Sequence, residues 1–183
     1  QPSVSEQVAV RLGKRQRFRM HALLGEDATK GELLDVLRGA GPAGRPALIF
    51  SGSHGMVFGP DDPRLAAAQG ALVCQDWAGY GEIGQDAWLA AADVPPDAQV
   101  HGLIHLLFAC YGGGCPKFDT FLRGGPDRRQ IAPSAMVAAL PRALLAHPNG
   151  GALAVIAHVD RAWGYSFLSC LLYTSPSPRD RTR

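Results

Sequence analysis

Three short apolar runs, each closed by small or polar residues, constrain this chain more than any other feature. Ala47-Leu48-Ile49-Phe50 leads into Ser51-Gly52-Ser53-His54-Gly55, and Leu103-Ile104-His105-Leu106-Leu107-Phe108-Ala109 leads into Cys110. A third run covers Ala152 to Val159. Runs of this length with little polar alternation read as strands covered on both faces, the pattern of a parallel sheet. Such sheets gather ligands and chemistry at the carboxyl ends of their strands. A His and a Cys delivered to that edge invite a pairing of base and nucleophile.

The segments between the runs supply the rest of an α/β chain. Residues 17 to 24 partly alternate polar and apolar and predict a strand. Thr29 stands three residues before Glu32, the capping-box spacing, ahead of Leu33, Leu34, Val36 and Leu37. That predicts a helix over about residues 30 to 39, ended by Gly39, Gly41, Pro42 and Gly44. Residues 70 to 77 read as a small strand, and a short helix is expected near Ala87 to Ala92. Residues 134 to 147 have helical spacing, with Ser134 as cap and Pro141 kinking the helix or starting a new one. Strands alternating with helices place the fold in the α/β class, with a mainly parallel sheet.

A strand ending in His54-Gly55 followed by one ending in Ala109-Cys110 resembles the caspase-like superfamily of cysteine peptidases. Gly25-Glu26-Asp27-Ala28-Thr29-Lys30 opening a helix, and the stretch from Ala152 through Ala157-His158-Val159-Asp160-Arg161-Ala162-Trp163-Gly164-Tyr165, extend the likeness. Together they cover about residues 17 to 167 and are most similar to bacterial gingipain-like and CHAT-like members. The His-before-Cys order also separates the chain from papain-like enzymes. The resemblance implies a caspase-like three-layer sandwich, cut short at its C-terminus, and a cysteine endopeptidase acting on a peptide or protein. Cys110 would then be the nucleophile and His54 the proton-transfer group, with no cofactor and no metal. The absence of a side chain on Gly55 leaves room beside a reacting carbonyl, so the N–H groups of Gly55 and Cys110 would form the oxyanion site.

Other assignments compete with these. Cys110 and His54 could be a small buried hydrophobe and a hydrogen-bonded strand-end histidine, and a catalytically inactive signalling or scaffold domain of the same fold would look alike. A different thiol hydrolase or transferase on an α/β sheet is a third reading. His105 and His158 are rival bases, although a separation of five puts His105 on the opposite strand face from Cys110. Cys115 lies in a Gly-rich loop and reads as a bystander; Cys110 and Cys115 make poor zinc spacing. Phe108 stands where caspases and metacaspases often carry a polar residue, so their substrate selection by that route is not expected. Asp160 and Trp163 are the candidate substrate-binding residues, pairing a basic side chain and covering its stem, or else capping a turn and closing the core. Asp76 and Trp77 share that ambiguity.

Residues 170 to 183 look like a frame translation of a sequencing-library adapter, which would end the peptidase domain at 169 and leave room for additional domains outside this fragment; a genuine Ser/Pro-rich flexible tail is the alternative. The 183 residues carry a net charge of +2; without that tail, which holds three Arg and one Asp, basic and acidic residues balance. Apart from Arg11, Lys14, Arg15, Arg17 and Arg19, read as a solvated edge strand, nothing basic argues for nucleic acid. No run of about 20 apolar residues calls for a membrane. Four cysteines without a disulfide framework fit reduced thiols in a cytoplasm.

Overall fold

Thr29 starts the first helix as its spacing requires. Its Oγ1 accepts the Glu32 N–H at 3.2 Å, helix α1 runs Lys30–Arg38, and Gly39 closes it at φ 72°, its N–H reaching Asp35 O and Val36 O. In this computed structural model, which describes residues 19–119 and 129–163, the remaining elements follow in order. They are β1 (Leu48–Gly52), α2 (Leu65–Ala68), β2 (Leu72–Val73), β3 (Trp88–Leu89), β4 (Ile104–Phe108), β5 (Gly114–Cys115), β6 (Met136–Val137), α3 (Ala139–Leu145) and β7 (Ala154–Ala157). The three apolar runs become one parallel sheet in the order β1-β4-β7, with Ser51, Leu107 and Ala157 in register across it.

Several shorter elements differ from the sequence expectation. Residues 19–24 form no strand, because local alternation supplies no hydrogen-bonding partner; residues 17 and 18 lie outside the described residues. Arg11, Lys14, Arg15 and Arg17 and the tail at 170 to 183 also lie outside them. The helix expected near Ala87 is instead two 3₁₀ turns around β3, whose Trp88 and Leu89 are buried by antiparallel pairing with β2. Four or five small residues cannot repay helix nucleation, whereas pairing buries an indole and a leucine at once. The strand expected over residues 70 to 77 contracts to Leu72–Val73. Ser134 caps nothing: Met136–Val137 pairs with β5, and α3 begins at Ala139 with Pro141 in its first turn, where a missing N–H leaves no bond broken.

Register divides the sheet into two unlike faces. Ile49, Leu107, Val155 and Ala157 pack with Leu33, Leu34 and Leu37 of α1 and Leu140 and Leu144 of α3 in one core cluster. Leu48, Phe50, Ile104, Leu106 and Ile156 belong to neither core cluster, and Leu48 and Ile156 are 52% and 60% exposed. The second helical layer of a three-layer sandwich has no member on that face among the described residues. A second cluster sits off the carboxyl edge of the sheet, built from Phe58, Leu65, Trp88, Tyr111 and Cys115 with small residues between them. No helix among the described residues is long and apolar enough to cross a membrane.

Candidate active site

Adjacent parallel strands bring the two motif residues to one edge. β1 and β4 pair through Gly52 and Phe108, and the Ser53 N–H extends the contact to Phe108 O at 3.1 Å. His54-Gly55 and Ala109-Cys110 therefore leave the sheet side by side. Gly55 lies so close that a Cβ built on it would overlap the Cys110 carbonyl oxygen and stand 3.1 Å from the Cys110 nitrogen. Only glycine permits that approach. Gly55 also bridges Leu72 in antiparallel fashion, with the flanking bonds Met56 N–H to Ala71 O at 2.8 Å and Val73 N–H to His54 O at 2.9 Å. That is the non-hydrogen-bonded type of pair, which aims the Gly55 N–H away from β2.

Cys110 is presented by a strained, heavily braced turn. Tyr111, 3% exposed, takes φ 58°, a left-handed conformation that costs a non-glycine residue roughly 1–2 kcal/mol. Its N–H donates to Asp160 O at 2.9 Å, the Gly113 N–H to His158 O at 2.7 Å, and the Gly114 N–H to Tyr111 O at 3.0 Å. Behind the turn, a Cβ on Gly70 would collide with the Tyr111 carbonyl. Backbone strain of this kind persists only where surrounding contacts over-determine it, and it concentrates at functional sites. The Cys110 Sγ accepts the Ala162 N–H at 3.4 Å and lies 3.6 Å from Ala162 O, so the segment after β7 grips the thiol.

The three described cysteines are free and unlike one another. Burial, with Asp76 nearby, pushes the Cys74 thiol up to about 11, and burial pushes Cys115 upward against the Gln69 hydrogen bond that opposes it. Burial therefore favours the neutral thiol at both of these positions. Cys110 itself is partly buried. Cys110 and Cys115 also take different partners, Ala162 and Gln69. Among the described residues no cluster of three or more His, Cys, Asp and Glu side chains is placed to hold a metal ion.

His54 is exposed, with the Trp77 ring edge-on at 6.5 Å between centroids. The indole Nε1–H donates to Tyr80 O at 3.0 Å. His54, Gly55, Met56, Val57, Val73, Trp77 and Ile83 line an open depression of about 330 Å³. The other two candidate histidines have contacts of their own. His105 is buried on the covered face with Nε2 2.9 Å from Ser51 Oγ and Nδ1 unpartnered, and burial pulls it down to about 4. His158 lies edge-on against Phe108 at 4.9 Å. Asp76 accepts the Lys30 N–H at 2.7 Å, capping α1.

Asp160 sits directly behind the Cys110 turn, where its main-chain oxygen accepts the Tyr111 N–H and its Oδ1 accepts the Arg161 N–H at 2.8 Å. Trp163 is 39% exposed at the end of the segment that grips Cys110. Three residues here escaped the sequence reading. Tyr111 carries the strain and hydrogen-bonds Arg161, which in turn pairs with the buried carboxylate of Asp119. Nothing in residue type or spacing marks a left-handed Tyr or an ion pair 42 residues apart in sequence. Comparison of the chain with protein families, curated proteins and solved structures found no match.

Proposed function

We propose that this chain is a caspase-like cysteine endopeptidase domain. The observation that carries the reading is the backbone contact between Gly55 and Cys110, which joins the two motif turns at one sheet edge. In this mechanism the Cys110 thiolate attacks a peptide carbonyl carbon, forming a C–S bond and an oxyanion held by the Gly55 and Cys110 N–H groups. The C–N bond then breaks, and the leaving nitrogen takes the proton that His54 received from the thiol. Water, losing a proton to His54, hydrolyses the thioester, and the thiol is restored. No metal or cofactor takes part.

The acyl half of the substrate runs past Trp163, with Asp160 as selector for a basic residue before the cut. Support for this placement is the contact of the neighbouring Ala162 main chain with the Cys110 sulfur. The free cysteines agree with a reducing, cytoplasmic setting.

The test is labelling by a thiol-directed acylating probe together with hydrolysis of a peptide library. Wild type is expected to label at Cys110 and to cleave, Cys110→Ala and His54→Ala to lose turnover, and Cys115→Ala to keep it. Asp160→Asn is expected to weaken cleavage after Lys or Arg. The absence of both labelling and turnover in the wild type would leave an inactive scaffold domain as the better account, and turnover surviving in Cys110→Ala would remove Cys110 as the nucleophile.

A further inference from the structure

We propose that the cavity beside His54 receives an apolar side chain from the leaving-group half of the substrate, on the residue that follows the scissile bond. The proposal rests on the reading of Cys110 and His54 as an acyl-transfer pair and adds a specificity to it. His54 and Gly55 form part of the cavity wall, and Cys110 does not. The acyl half of a substrate becomes bonded to the Cys110 sulfur, while the amine half takes its proton from the imidazole. A space lined by His54 and not by Cys110 therefore belongs to the amine half.

The remaining walls select the chemistry. Met56, Val73, Trp77 and Ile83 present a thioether, an isopropyl group, an indole and a branched alkyl group, and no charged side chain lines the space. Val57, 60% exposed, forms the rim. The bond from the Trp77 indole to Tyr80 O holds the largest wall in place before anything binds. At about 330 Å³ the depression is at the small end for ligand sites and has ample room for one large side chain.

The experiment uses two peptides that stand for the amine product, Leu-Gly-Gly amide and Gly-Gly-Gly amide, titrated into the full chain and read by NMR. The Cys110→Ala protein is titrated in parallel, since binding needs no thiol. The leucine peptide is expected to bind about tenfold more tightly, equivalent to about 1.4 kcal/mol. Val57→Asp at the exposed rim is expected to abolish that preference without touching the core, and Trp77→Ala to do the same. Equal affinities, a preference that survives Val57→Asp, or no binding of either peptide at the highest soluble concentration would overturn the proposal. Cleavage that depends on Cys110 but shows no preference after the cut would sink the subsite alone. Selective binding without any Cys110-dependent cleavage would keep the cavity as a site and remove the peptidase.

Discussion

Gly55 carries the closest approach in the site, and a single methyl group there tests it. Because its Cβ would overlap the Cys110 carbonyl, Gly55→Ala must push the two turns apart. The expected cost is about 1–3 kcal/mol, as for overpacking elsewhere, with slower alkylation of Cys110 as the local readout. Urea denaturation and iodoacetamide kinetics check both; unchanged alkylation would mean that the contact does not position the thiol. His105 offers a different residue-scale test. Its folded value of about 4 lies below the ordinary 6.5, so the unfolded chain binds more protons between those values. The neutral imidazole therefore contributes stability that is fully present above pH 6.5 and lost as pH falls through 4, about 3 kcal/mol in all. His105→Gln retains a partner for Ser51 Oγ and does not titrate, so its stability is expected to fall less than that of the wild type between pH 7 and pH 4. Denaturation midpoints at the two pH values measure the difference.

At the scale of elements, the site depends on a segment that belongs to no strand or helix. The residues after β7 hold the Cys110 sulfur through Ala162 and brace Tyr111 through Asp160 O, and Arg161 ties them to Asp119. Asp119 is 1% exposed at its side chain and Arg161 32%, so one charge of the pair is buried and the other half-open. Removing the cation takes the Arg161 charge away from a carboxylate deep in protein. Arg161→Met is expected to destabilise the chain by about 3 kcal/mol, towards the lower end for broken buried pairs because Arg161 keeps contact with water. Thermal or urea unfolding measures this, and a change below about 0.5 kcal/mol, the usual size of a surface substitution, would show the tether to be idle.

For the whole molecule, the two sheet faces make opposite predictions. Leu107, 1% exposed, is packed between β-sheet and helices, and Leu107→Ala is expected to cost about 2–5 kcal/mol in urea unfolding. Ile156, in a neighbouring strand but 60% exposed on the other face, is expected to tolerate Ile156→Ser within about 0.5 kcal/mol. A large loss at Ile156 would show that this face is covered in solution. The contrast also marks where sequence runs out. Continuous apolar runs made the three parallel strands and their carboxyl-edge His and Cys legible, because an unbroken hydrophobic stretch between Gly-rich turns has few other uses. Thr29, Glu32 and Gly39 made α1 legible, since caps act within one helical turn. Those same runs implied cover on both faces, whereas the described helices cover one, for a run of apolar residues does not say what lies against it. The start of α3 and strands β3 and β6 were misread because two-residue pairings are decided by distant partners rather than local propensity. The left-handed Tyr111, the contact of Gly55 with Cys110 and the Arg161–Asp119 pair needed the tertiary structure, because each is a relation between segments that only folding brings together.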